Sequence, residues 1–299
     1  MAGADLETRV KKMAEYLDVE AIAAALKMPV ETISDILDGK AEIKALPAGK
    51  QLASPVVQVN TARVAYRQRV IAVWRAKGGV GCTAVALYLA WLLKDMLRVL
   101  LIDLNFAAGG SDLSYYLNLP EYPHIGGAEY DLEQSLINVE EGFYVLQAPR
   151  RLEEVKTHDG LVTGIINYAR PAFDVIIFDL PNSRDICVTE AVLNATTVIF
   201  VTAGSEQEVV RAALRARNYP GKECFLLANG SKLNMRLARD LGFERIIEIQ
   251  HDPGLREALE NGDVLKKNSP FMAGMTALRD SLYENPERKG GIFKKLLAR

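Results

Sequence analysis

The residues from Lys77 to Thr83, KGGVGCT, set three glycines and a hydroxyl side chain directly before an apolar helical stretch. The chemistry of such a turn is phosphate binding. Gly78, Gly79 and Gly81 allow close backbone approach, so successive N–H groups and the start of the next helix face an anion. Val80, Cys82 and Ala84 fill the other positions of the loop and helix start. Thr83 opens the helix, where a hydroxyl is placed to ligate Mg²⁺. Three further polar residues end apolar runs downstream: Asp103 in LLIDLN, Asp179 in FDVIIFDLP and Asn229 in FLLAN. A nucleotide site keeps a carboxylate at such a position, near its metal, and a carboxamide there can read a base edge. Acidic residues commonly end strands, so each alone is a weak sign; together, in this order, they read as one nucleotide site.

The elements that must position these groups follow from periodicity. From residue 70 onward, strand-like runs alternate with helical patterns: Val70–Trp74, Val99–Ile102, Tyr144–Leu146, Val175–Phe178, Thr197–Val201, Cys224–Ala228 and Ile246–Ile249. Continuous apolar strands separated by helices predict an α/β domain over residues 70–285, a doubly wound, mainly parallel sheet covered on both faces. Residues 1–45 read as a small helical domain. There Leu6, Val10, Met13 and Leu17 recur at helical spacing, and AIAAALKMPVETISDILDG, from Ala21 to Gly39, has a helix-turn-helix pattern. Residues 46–69 lose periodicity and read as a linker carrying Arg63, Arg67 and Arg69. Residues 286–299 form a basic amphipathic tail, with Ile292, Phe293, Leu296 and Leu297 opposite Lys294, Lys295 and Arg299.

Composition narrows the class. The 299 residues are 49% hydrophobic and 25% charged, which excludes a disordered chain. Lysine and arginine total 36 against 38 acidic residues, so there is no global basic field of the kind many nucleic-acid binders carry. The helix expected to read DNA in the helix-turn-helix holds Glu31, Asp35 and Asp38. DNA affinity rests largely on phosphate neutralisation, so this helix is expected to dock protein. Cys82, Cys187 and Cys224 lack CxxC spacing and read as reduced thiols of a cytoplasmic protein. The mixed charge of the first residues does not form a signal peptide. The longest apolar run, Ala84–Leu93, is about half what a bilayer-spanning helix needs.

With these motifs the sequence resembles the MinD/ParA group of P-loop ATPases, whose phosphate loop has the form KGGxGKT. The resemblance covers about residues 70–285. It includes Ile247–Leu265, similar to an IPxDPxxxxAxxxG signature, in which Asp252, Pro253, Ala258 and Gly262 match and Gln250 replaces a proline. Within the group the chain is similar to the CpaE/TadZ pilus-assembly branch. Members of that branch often lack the loop's second lysine and carry a DLP sequence like Asp179-Leu180-Pro181.

The resemblance implies ATP and Mg²⁺ as cofactors. It implies that Lys77 reaches across a nucleotide-sandwich homodimer to the partner's phosphates and that Thr83, Asp103 and Asp179 surround the metal. Asp103 and Asn105 stand in the first switch, Asn229 at the adenine, and Asp252 in the nucleotide-binding set. Three departures matter. Cys82 occupies the place of the lysine that neutralises phosphate charge, Asn105 that of a second switch carboxylate, and Ser183 that of a glycine. Together they predict retained binding and slow hydrolysis. The implied role is a cytoplasmic localisation or assembly factor for a pilus or secretion machine. The tail suits a peripheral contact with the anionic inner face of the cytoplasmic membrane. The alternative is a ParA-like partition ATPase that binds DNA nonspecifically.

Overall fold

The computed structural model describes residues 30–38, 68–106, 109–263 and 269–283, together with Ala14 and Val19. The chain divides into two units, Met1–Arg63 and Val64–Arg299. In the first, Val30–Leu37 forms helix α1, with Ile33 and Ile36 on its buried side. This is the second helix of the helix-turn-helix pattern. The first helix lies outside the described residues, as do Arg63, Arg67 and the tail at 286–299.

The second unit is built on an eight-stranded sheet. Its strands are β1 (Arg69–Arg75), β2 (Val99–Asp103), β3 (Ile137–Glu140), β4 (Phe143–Leu146), β5 (Val175–Leu180), β6 (Thr197–Thr202), β7 (Glu223–Asn229) and β8 (Arg245–Ile249). They lie in the order β3-β4-β2-β5-β1-β6-β7-β8. Every neighbouring pair is parallel except β3 and β4. Strands β2, β5 and β6 are buried along their whole length, as strands covered on both faces must be.

Two apolar layers cover the sheet. On one face Trp74, Phe178 and Phe200 pack against α5 (Leu161–Ala169), α6 (Ile186–Asn194) and α7 (Glu206–Arg217). In chain order β2 is followed by the short helices α3 (Asp112–Tyr116) and α4 (Leu132–Ser135); Leu132 joins this layer and Leu113 the opposite one. On the other face Val73, Leu101 and Ile177 pack against α2 (Cys82–Leu93) and the last helix. Helix α2, CTAVALYLAWLL, is apolar on nearly every side and buries ten of its residues. Such a helix belongs inside a domain, not on its surface. After β7 come α8 (Met235–Asp240), then β8, α9 (Leu255–Asn261) and α10 (Pro270–Tyr283). Phe271 of α10 meets Tyr88 of α2 edge-on, with ring centroids 5.3 Å apart.

The apolar runs that predict strands all become strands, with ends shifted by one or two residues. Strand β3 escapes that reading. Its residues INVE alternate between half-buried and exposed at the sheet edge, too short and too polar to stand out. Arg69 is also not a linker residue. It opens β1 and pairs with Glu223 at 2.6 Å, with Arg245 on the same carboxylate at 3.0 Å.

Candidate functional site

The site is assembled where β1, β2, β5 and β7 end together. Beyond β1 the chain turns through Ala76–Gly81 into α2, and Gly81 takes φ +81 at the helix N-cap. The Asn229 amide Nδ2, at the end of β7, donates to the carbonyl of Val80 at 3.0 Å. A Cβ on Gly81 would lie 2.4 Å from that nitrogen, so the glycine is required both by backbone conformation and by this close approach. Asn229 was expected at a base edge; here its amide braces the phosphate loop.

Thr83 is buried, and its hydroxyl donates to Asp179 Oδ2 at 2.6 Å. Register brings the two carboxylates together: Asp103 of β2 lies directly beside Asp179 of β5. Both side chains are fully buried. The N–H of Asn105 donates to Asp103 Oδ1 at 2.8 Å, while Asp103 Oδ2 and Asp179 Oδ1 have no hydrogen-bond partner among the described residues. Burial, then repulsion by Asp179, raises the Asp103 carboxyl to about 7. Burial also pushes Asp179 up, against the pull of Arg75 and the Thr83 hydroxyl. Two buried carboxylates with unused oxygens are costly unless something cationic joins them.

A divalent metal fits that vacancy in the charge balance. Among the described residues no group of three or more His, Cys, Asp or Glu side chains forms a ligand cage. The set here is Thr83, Asp103 and Asp179, a hydroxyl and two carboxylates. That suits Mg²⁺, which keeps waters and takes phosphate oxygens from a nucleotide instead of demanding an all-protein shell. Such an ion would supply the charge that neutralises phosphate, and the loop amides at Gly78–Gly81 with the start of α2 would orient the phosphates.

The remaining expected residues are placed as follows. Lys77 and Gly78 are exposed at the loop, and Lys77 has no hydrogen bond or ion pair among the described residues. Cys82 is buried with Sγ 3.2 Å from the carbonyl oxygen of Val73. Burial, and next the charge of Asp179, hold its thiol well above the usual range, so it stays neutral and is no reactive thiolate. Ala84 is buried one residue beyond Thr83. Ser183 donates to Asp185 at 2.6 Å, and Asp185 caps α6. Asp252 is engaged by backbone amides. Its Oδ1 accepts from the N–H of Gly254 at 3.0 Å and its Oδ2 from that of Phe271 at 3.2 Å, holding a turn and the start of α10.

The sequence reading missed two residues. Arg75 Nε donates to the carbonyl of Leu180 at 3.1 Å, and its Nη2 lies 3.7 Å from Asp179 Oδ1. Arg215 of α7 stacks over Trp74 at 4.5 Å. It donates to the Arg75 carbonyl at 2.6 Å and to Asn182 at 2.7 Å. Trp74 Nε1 in turn donates to Pro181 at 3.1 Å. The end of β1 is thereby tied to the loop that follows β5. The basic residue before the glycines was the only sequence sign of this, and it acquires meaning only through strand register.

No protein-family model matches the chain, and no curated protein does. Solved structures do. MinD from Pyrococcus horikoshii, a septum site-determining protein crystallised with Mg-ADP, has a TM-score of 0.64 at 20% identity, over 75% of this chain and 99% of that one. A ParA-family ATPase from Chlorobium tepidum has 0.62 at 20% identity, over 73% and 100%. A plasmid partition protein from Borrelia burgdorferi, bound to AMPPNP, has 0.60 at 21% identity, over 72% and 98%. The mostly parallel sheet with its flanking helices is thus the P-loop NTPase fold of the MinD/ParA type. Among the described residues no helix is long and apolar enough to cross a membrane.

Proposed function

We propose that this chain is an ATP-binding switch of the MinD/ParA type, which takes Mg-ATP and pairs with a second copy across the nucleotide. The carrying observation is the pair of buried carboxylates, Asp103 and Asp179, each with one unused oxygen, at the foot of a glycine-rich loop where Thr83 donates to the other oxygen of Asp179. Hydrolysis is slow in this reading. Cys82 offers no cation, and Asn105 has an amide that orients water but accepts no proton. Cys82 and the Asp179-Leu180-Pro181 sequence further support a CpaE/TadZ-like role, a cytoplasmic localisation or assembly factor for a pilus or secretion system. The amphipathic tail at 286–299 supports a peripheral contact with anionic membrane, strengthened when a dimer presents two tails.

The test is equilibrium binding of a fluorescent ATP analogue with and without Mg²⁺. Thr83→Val and Asp179→Asn are each expected to lower the Mg²⁺-dependent affinity about 10- to 100-fold, the worth of a contact to a charged group. Absence of Mg²⁺-dependent binding by the wild-type chain overturns the reading.

A second reading is ParA-like DNA partition. Its support is the exposed pair Arg184 and Arg211, which line a cleft of about 410 Å³ with Asn182, Ser183 and Arg215 beside the phosphate loop. Duplex binding that needs Mg-ATP and weakens steeply across a salt series would establish it in place of the pilus role.

A further inference from the structure

The glycine-rich loop of this chain lacks a cation at the start of α2, yet the site does not lack one. We propose that Arg75 is its phosphate-binding cation, supplying from the end of β1 the positive charge that Cys82 cannot. This rests on the nucleotide reading above and deepens it.

The placement comes from strand geometry. Side chains alternate along a strand, so Arg75 shares a face with Val73. Val73 is the register partner of Asp179, and Asp179 that of Asp103. All of these lie on the α2 side of the sheet, under the loop. The guanidinium sits low in the site with its side chain only 14% exposed. One donor, Nε, is used by the carbonyl of Leu180. Nη2 is buried, stands 3.7 Å from Asp179 Oδ1, and has no hydrogen-bond partner among the described residues.

Electrostatics select this residue from its neighbours. Among the described residues no other cation comes within ion-pair distance of Asp103 or Asp179. Arg215 is committed to Trp74, Asn182 and the Arg75 carbonyl. Lys77 is exposed and makes no ion pair with either carboxylate. Cys82 points back at the carbonyl of Val73 and remains a neutral thiol. A triphosphate brought to this loop would otherwise meet two buried carboxylates with only a metal to offset them. A guanidinium is suited to the task. It stays charged when buried, and its planar fork matches phosphate oxygens two at a time. The unused Nη2 donor is the group held ready for that contact.

The experiment measures affinities of the full chain for ATP, ADP and AMP by competition with a fluorescent ATP analogue, alongside unliganded melting temperatures. The proteins are wild type, Arg75→Gln, Arg75→Lys and Arg75→Gln/Cys82→Lys. Arg75→Gln is expected to weaken ATP and ADP about 10- to 100-fold and AMP far less. Arg75→Lys, which keeps the charge without the planar fork, should retain part of the ATP affinity lost in Arg75→Gln, and the double variant should regain it by restoring a cation from the helix side. Wild-type ATP affinity in Arg75→Gln overturns the proposal. An equal loss for ATP, ADP and AMP also overturns it, because Arg75 would then only hold the loop in shape. If the wild-type chain binds no nucleotide, the nucleotide reading itself fails, a result distinct from either.

Discussion

Asp103 and Asp179 face each other in the sheet without a cation large enough in charge to satisfy both, and this makes the site pH-sensitive. Burial and Asp179 raise the Asp103 carboxyl from 3.8 to about 7, against the pull of Ser111, the Asn105 amide and Arg75. A carboxyl raised by folding stabilises the folded state while protonated, so its contribution is lost as pH climbs through about 7. The metal-free protein should therefore lose melting temperature between pH 5 and pH 8 more steeply than Asp103→Asn, and Mg²⁺ should restore it at the alkaline end. Parallel profiles for the two proteins would refute this. A second residue-scale expectation concerns Gly81. Alanine there must adopt φ +81 and push Asn229 off the loop, at a cost of about 1–2 kcal/mol for the conformation alone. Gly81→Ala should lower both melting temperature and ATP-analogue affinity, and Asn229→Ala in the same chain should relieve only the steric part. Much at this scale was legible in sequence: the glycines, Thr83 and the two aspartates announce themselves by type and spacing. Arg75 did not, because a single basic residue before a turn means nothing until register sets it beside Asp179. The hydrogen bonds of Asp252 to Gly254 and Phe271 were not legible for a related reason: a carboxylate that holds a helix start and one that awaits a ligand look alike in a sequence.

Among the elements, α5 is unusual in receiving its N-terminal cap from another helix. Its own N-cap is Gly160, which has no side chain to offer. Glu190 of α6, itself buried, accepts from the N–H groups of Gly160, Val162 and Thr163. Burial pushes this carboxyl up, but the Gly160 and Thr163 amides lead the contacts that outweigh it and hold it below 4.5. A carboxyl lowered by folding stabilises above its unfolded value and loses that contribution as pH falls below 4.5. Glu190→Gln should cost about 1–3 kcal/mol at neutral pH and flatten the acid limb of the stability profile; an unchanged urea midpoint would contradict it. The strands were legible because β2, β5, β6 and β7 are unbroken apolar runs, a pattern imposed by burial on both faces. Strand β3 was not, since an edge strand half in water loses the very signal that marks the others. The same holds for the tie from Trp74 and Arg215 to Pro181 and Asn182, which joins elements far apart in the chain.

On the scale of the whole molecule, the glycine-rich loop presents Lys77 outward with no hydrogen bond or ion pair among the described residues, as a group that acts on a second copy would be held. Lys77→Ala should bind the ATP analogue yet remain monomeric by light scattering with Mg-ATP, where the wild type is expected to dimerise; a dimeric Lys77→Ala would sink the sandwich assignment. The alternation of strands and helices made the α/β class legible, but not the strand order, which depends on which crossovers the chain takes. That order has a cost in time. Strand β1, the first of its unit to be made, sits between β5 and β6, and its partners Ile176 and Thr197 lie roughly a hundred residues or more downstream. At synthesis rates of about 5–20 residues per second, VIAVW must wait on the order of 5–25 s before either neighbour exists. Pairings this distant in sequence are also slow to close once the chain is free. The nascent chain thus carries the apolar centre of β1 without its sheet neighbours for that interval, a window in which a chaperone, or a neighbouring nascent chain, has its best access to it.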